Sequence, residues 1–122
     1  MEIKSYRDLI VWQKSISLVK GVYVIIKSLP REETYGLASQ LKRSAISIPS
    51  NIAEGHGRGT KKDYVHFLRI SFGSLYELQT QLIILKELNF VSDNNLKPIF
   101  AISEEIERML AVLIRKLENK GN

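Results

Sequence analysis

Positive charge is the chemistry this sequence offers most plainly. Lys14, Lys20 and Lys27 recur along the first stretch, Lys42 and Arg43 sit in the second, and Arg58, Lys61, Lys62 and Arg69 gather around the turn Gly55–Gly59. Lysine and arginine neutralise phosphates, and a protein that does so binds a polyanion without reading its sequence. Any one of these side chains taken alone is a solvated charge; the set forms a candidate patch. Aromatic residues are sparse between them, which favours recognition of backbone or shape over stacking on bases. The formal net charge is +5 and unevenly spread: residues 1–73 hold twelve basic against six acidic side chains, residues 74–122 six against seven. Positive potential, and any affinity for an acidic partner, belongs to the front of the chain.

Other chemistry finds less support. With no cysteine, thiolate nucleophiles, thiolate metal ligands and disulfides are excluded. His56 and His66, with Asp63 before the second, are too few to make a metal site, and neither a metal nor another cofactor is expected. Ser44, Ser47 and Ser50 have no histidine at helical spacing to activate a hydroxyl, so small residues at a close helix contact are the better account of them. Glu54 and Glu77 suit polar anchoring more than an acid pair, with Arg43 as a counter-ion for Glu54. Gly55, Gly57 and Gly59 superficially match a phosphate-cradling loop, but that loop needs a preceding strand. A helix-to-helix turn explains them better, although amides beside Arg58, Lys61 and Lys62 offer one phosphate a helix N-terminus. The chain is expected to work by binding and not by catalysis.

The elements that must position these residues read as four helices. Leu9, Trp12, Ile16, Val19, Tyr23 and Ile26 fall three and four apart, predicting a first helix over about residues 8–28 that Pro30 ends. Leu37, Leu41, Ala45, Ile48 and Ile52 predict a second, ending near Glu54 with Gly55 as the left-handed residue after it. Pro49 lies inside that pattern and predicts a kink without a break. Thr60 reads as the N-cap of a third helix, with Asp63 completing a weak capping box. Tyr64, Leu68, Ser71, Leu75, Leu78, Leu82 and Leu85 hold the four-three spacing of a bundle seam. Gly73 in its middle costs about 1 kcal/mol of helix propensity, which a closely approaching helix or subunit would explain. Ile99, Ile102, Ile106, Met109 and Leu113 predict a fourth helix ending near Leu117, with Asn94 or Asn95 as its cap and Pro98 in the first turn.

The connections are short, so successive helices are expected to alternate in direction: an all-α, antiparallel up-down-up-down four-helix bundle forming one domain over residues 1–122. Val22, Val24, Ile25, Val65, Phe72 and Ile83 lie off the main stripes, and a helix apolar on two faces seeks a second partner; self-association is the expectation. The longest apolar run, Val22 to Ile26, is far short of a membrane span, and the first residues lack the pattern of a secretory signal. A cytoplasmic location without membrane contact is the default.

Gln40, Leu41, Arg43, Ala45, Ser47, Ile48, Pro49, Asn51, Ile52, Ala53, Glu54 and Gly55 together resemble the signature of four-helix-bundle proteins found as reading frames inside intervening sequences of bacterial large-subunit ribosomal RNA genes. Tyr6, Asp8, Leu9, Trp12 and Gln13 resemble that family's opening, and Phe67, Leu68, Gly73, Ser74, Glu77 and Leu78 its third helix. The resemblance implies a non-enzymatic bundle assembling as a homopentameric ring. A similar accessory protein of diversity-generating retroelements associates with nucleic acid and a reverse transcriptase, which by analogy points to Arg43, Arg58 and neighbouring lysines as RNA contacts. Ser71 and Phe72 depart from the pattern, since relatives often carry a small residue and then a basic or polar one. The leading reading is thus a nucleic-acid-associated, ring-forming bundle, RNA or DNA being the polyanion. The alternative is a scaffold that docks another protein, its charge serving solubility.

Overall fold

The computed structural model describes residues 2–119. Met1 and the end of the expected polar tail, residues 120–122, lie outside the described residues. Ser5 caps a short 3-10 turn, Tyr6–Asp8, by a reciprocal capping box in which Asp8 bonds back to the Ser5 amide. Helix α1 follows at Ile10–Ile26. A second 3-10 turn, Arg31–Glu33, leads into α2 at Leu37–Gly57, and then come α3 at Lys61–Glu87 and α4 at Asp93–Asn119. No strand occurs among the described residues. Each helix packs on two neighbours in a closed cycle, α1 on α2, α2 on α3, α3 on α4 and α4 on α1. The pairs α1 and α3, and α2 and α4, stand apart across one shared core.

The third-helix seam faces that core: Leu68, Ser71, Leu75, Leu78, Leu82 and Leu85 are all fully buried, each leucine contributing roughly 1.5–3 kcal/mol of transfer free energy. Leu41, Ala45, Ile48 and Ile52 of α2 are equally enclosed. In α1 the spacing misleads by one position. The residues turned inward are Val11, Ser15, Leu18, Val22 and Ile25, while Trp12, Ile16 and Val19 flank them half-buried and Tyr23 is exposed. Val22 and Ile25, expected beside the stripe, are core. The reason is Ser15, a polar residue at the centre of the true seam whose hydroxyl donates to the Trp12 carbonyl at 2.6 Å. Ser103 hides the seam of α4 in the same way: Leu96, Ile99, Ser103, Ile106, Leu110 and Ile114 are buried, and Ile102, Met109 and Leu113 lie half-buried beside them. Of the other off-stripe residues, Val24 and Ile83 are exposed and Val65 and Phe72 half-buried.

Two helix ends also depart from expectation. The second helix runs through Pro49 and on to Gly57, three residues beyond Glu54. Gly55 is therefore not a left-handed stop; it is buried inside α2, where the backbone oxygen of Tyr64 and the Phe67 side chain crowd the space a Cβ would take. The left-handed glycine of that turn is Gly59, at φ +89°. Thr60 does cap α3, its hydroxyl accepting from the Asp63 amide at 3.1 Å. At the other end of α3 the chain closes with Asn89 at φ +60° and the Phe90 amide donating to the Leu85 carbonyl, a Schellman arrangement with asparagine in the glycine position. Ser92, not Asn94 or Asn95, caps α4, accepting from the Asn95 amide at 3.2 Å. Pro98 consequently sits in the second turn of α4, beyond the first-turn positions where proline is best tolerated.

The two glycines near the end of α2 should respond oppositely to alanine. At Gly55 a Cβ would lie 2.8 Å from the Phe67 Cβ and 3.2 Å from the Tyr64 oxygen, so Gly55→Ala should destabilise by about 1–3 kcal/mol in urea unfolding. At Gly57 nothing stands within 4 Å, and Gly57→Ala should stabilise by about 0.4–1 kcal/mol.

Candidate nucleic-acid interface

The expected basic residues do not form one patch. Arg58, Lys61 and Lys62 surround the turn from α2 to α3, and Arg69 lies two turns along α3. Lys42 and Arg43 project from the second turn of α2, roughly 24 Å of helix axis away from Arg58. Lys14 and Lys20 belong to α1.

Half-free and committed charges separate clearly. Lys14 pairs with Glu105 of α4 at 3.1 Å, and Arg69 pairs with Glu118 near the end of α4. Arg58 bonds Glu54 at 2.6 Å across one helical turn, and its guanidinium carbon lies 4.8 Å from the centre of the Phe67 ring. The counter-ion of Glu54 is therefore Arg58 and not Arg43, which stands eleven residues back along the same helix, roughly 16 Å away. Among the described residues, Lys20, Arg43 and Lys62 are exposed and make no ion pair. Lys42 makes none either, its ammonium lying 5.5 Å from the Tyr23 ring centre. Exposed pairs such as Arg58–Glu54 contribute about 0–1 kcal/mol, so a phosphate can compete for those arginines.

Several signature residues, Ser47, Ile48, Gly55, Phe67 and Ser74, lie where α2 meets α3. Contacts run from Ser44 with Gln81 through Ser47 with Ser74, then Ile48 with Ser71, to Gly55 with Tyr64 and Phe67. Ser44 donates to the Gln81 amide oxygen at 2.7 Å, and Ser71 donates to the Ile48 carbonyl at 2.7 Å. Ser47 and Ser74 share a hydrogen bond of 2.7 Å, and Asn51 donates to both the Ser47 hydroxyl and its carbonyl. Ser44 and Ser47 are thus small residues at a close helix contact, while Ser50 is exposed. Glu54 and Glu77 form no pair: Glu77 accepts from Gln81, at the other end of this run of contacts from Glu54. Gly73 faces open space, with nothing within 4 Å, so no helix of this chain accounts for it.

His56 lies in the last turn of α2, edge-on to Tyr64, and His66 stands against Phe67. No three groups of metal-binding type converge among the described residues, and none of their helices is long and apolar enough to cross a membrane. Two tyrosines, Tyr23 and Tyr35, are exposed; spacing placed Tyr23 on the α1 stripe and did not mark Tyr35, whose one available signal is an aromatic residue between Thr34 and Gly36, outside any helical pattern. Tyr76 donates to Glu107 of α4 at 3.1 Å, whose other oxygen accepts from Gln79. That hydrogen bond, followed by desolvation and the carboxylate charge, raises the Tyr76 phenol above 10.0; burial alone raises Tyr64.

Taken together, the helices and their surface define a small all-α protein whose conspicuous features are a polar small-residue helix interface and exposed cations. Residues 7–112 match the model of the 23S rRNA-intervening sequence protein family, and the chain belongs to that family. The fold is also that of a protein of unknown function from the S23 ribosomal protein family of Bacteroides thetaiotaomicron VPI-5482, with a TM-score of 0.80 at 24% identity over 86% of this chain and 98% of the other. No curated protein matches.

A raised phenol pKa in the folded state stabilises the fold fully below the unfolded pKa and is lost as pH rises through the folded one. The stability difference between the wild type and Tyr76→Phe should therefore be constant at neutral pH and shrink above pH 10.0, the ordinary tyrosine value; urea midpoints measured across that range test it.

Proposed function

We propose that this protein is a non-enzymatic, RNA-associated bundle that assembles into a homo-oligomeric ring and recognises its partner by neutralising phosphates. The observation that carries the reading is that four of the expected cations, Lys20, Lys42, Arg43 and Lys62, are exposed and have no carboxylate partner among the described residues. Family membership supports it, because the family takes its description from intervening sequences of 23S rRNA. The chain as one domain, its helices alternating up and down, is supported by the closed packing cycle and the short connections. Running contacts from Ser44 with Gln81 to Gly55 with Phe67 fit an antiparallel α2 and α3. A bend at Pro49 is supported by the missing amide that would have bonded the Ala45 carbonyl. A cytoplasmic setting suits an RNA partner.

Self-assembly draws support from apolar residues left exposed on α3, Ile70, Ile83 and Ile84, and from Gly73, which costs helix propensity without serving any contact inside the chain. An open groove of about 480 Å³ lies over Gly73 between Phe72 and Ile114. By the resemblance, the proposed ring would be a pentamer. Those same apolar residues favour the second reading, a scaffold for another protein without nucleic acid.

Affinity for single-stranded RNA should fall with salt, log affinity against log salt having a slope near −0.7 for each phosphate neutralised, and Lys42→Ala with Arg43→Ala should flatten it by about 1.4. A slope of zero for the wild type removes the reading in favour of the scaffold. Gly73→Ala separates monomer from assembly: with the groove open it stabilises the chain by about 1 kcal/mol, whereas in a ring packed there it dissociates the oligomer, read by native mass spectrometry of nuclease-treated protein.

A further inference from the structure

The turn between α1 and α2 carries the most exposed large hydrophobic side chain among the described residues. Tyr35 is 96% exposed and makes no hydrogen bond or ring contact. It is not the tip of a slack loop. Thr34 donates to the Arg31 carbonyl at 2.8 Å, the Gly36 amide to the Glu33 carbonyl at 3.1 Å, and the Gln40 amide to the Gly36 carbonyl at 3.1 Å. An ordered turn thus holds an aromatic ring out in water, the arrangement of a stacking platform. Beside it lies a concavity of about 430 Å³, bounded by Thr34, Tyr35, Ser39, Lys42, Arg43 and Ile46. Ile46 adds an exposed apolar edge. Lys42 is held toward Tyr23, and Arg43 has no carboxylate partner among the described residues. Of the nearby acids, the Glu33 carboxylate is turned to the Leu37 amide at 3.4 Å and does not border the concavity, and neither does Glu32.

We propose that this concavity takes one unpaired base of an RNA strand, stacked on the Tyr35 ring, with Lys42 and Arg43 on the flanking phosphates. The proposal rests on the RNA reading above and narrows it to single strands. A base inside a duplex has both faces covered and cannot stack on a side chain, whereas an unpaired base can. A planar ring beside two cations that make no ion pair among the described residues matches a nucleotide's base and phosphates; an apolar peptide would leave both without an anionic partner. The sparse aromatic content of the sequence thus understates stacking, because a single ring in the right place suffices.

The test uses the full chain and fluorescence anisotropy with a short fluorescein-labelled oligouridylate and a duplex of equal length. Single strand should bind more tightly than duplex. Tyr35→Ala should weaken single-strand binding about fivefold or more, with an unchanged salt slope, because stacking releases no counterion. Tyr35→Trp should restore it, and Arg43→Ala should lower the slope by about 0.7. Since Tyr35 is 96% exposed and makes no hydrogen bond or ring contact, its variants fold as the wild type does. Salt-dependent binding that Tyr35→Ala leaves intact, or equal affinity for duplex, overturns this site while the RNA reading stands. No salt-dependent binding by the wild type overturns both. A protein captured by the wild type and lost by Tyr35→Ala, with RNA affinity unmoved, assigns the ring to a protein partner and overturns the proposal.

Discussion

Everything in this molecule depends on how closely α2 and α3 approach. Gly55 meets Tyr64 and Phe67 where any side chain would intrude, and Ser44, Ser47, Ser71 and Ser74 keep the remaining contacts short. Small residues at a helix interface let backbones come together, but serines bring hydroxyls that must be satisfied once water is excluded. Each of the four is bonded: to Gln81, to its partner serine, or to the Ile48 carbonyl. Directional bonds of this kind set the register of the two helices, which burial of leucines alone would leave free to slide. The other two helices complete the cycle around that pair.

Pro49 is the companion of this arrangement. It is buried within α2 and removes one amide from the helix ladder. One residue before it, the Ile48 carbonyl accepts from Ser71 of the neighbouring helix. A segment whose own hydrogen bonding is weakened by proline is thus tied laterally to α3, so the stability of α2 is a property of the pair and not of its own sequence. The signature residues Ser47, Asn51 and Gly55 fall in this region, which gives them a structural reason to be there independent of any ligand.

What could be read from residue order follows the same physics. The seams of α2 and α3 were legible because leucine, isoleucine and alanine occupy most of the inward positions. That of α1 was misplaced by a residue and that of α4 was read only in part, Ile99 and Ile106 facing inward as expected while Ile102, Met109 and Leu113 lie beside the seam, because Ser15 and Ser103 occupy inward positions and satisfy their hydroxyls on their own helix, at Trp12 and Phe100. A serine bonded in that way packs as a small core residue, yet residue type alone marks it as polar. Gly55 misled for a related reason: glycine ends helices when conformational freedom is wanted, and sits inside them when room is wanted, and only the neighbour decides. Among the charges, Glu54 with Arg58 was available from i,i+4 spacing, but Arg69 with Glu118 and Lys14 with Glu105 join different helices and required the fold. The exposure of Tyr35 lay beyond reach, since an aromatic residue in a turn is as often folded back as held out.

The structure also bears on how scattered cations can serve a function. With Lys14, Arg58 and Arg69 engaged by Glu105, Glu54 and Glu118 and the other exposed cations spread over several helices, one copy of the chain offers a phosphate chain only a few contacts in any one place. Such a site is weak at physiological salt, because each lost contact removes a multiplicative factor from the affinity. Repetition changes the outcome. In a ring, every copy presents the same cations, and once one site is engaged its neighbours meet the strand at a local concentration set by the geometry of the ring. Under the proposed function, self-assembly and phosphate recognition would be one property: apolar residues on α3 that look costly on a single chain would create the multiplicity that makes the α1 and α2 surface useful. A strand too short to reach a second copy gains nothing from this, so the dependence of affinity on strand length reports the assembly as directly as its mass does.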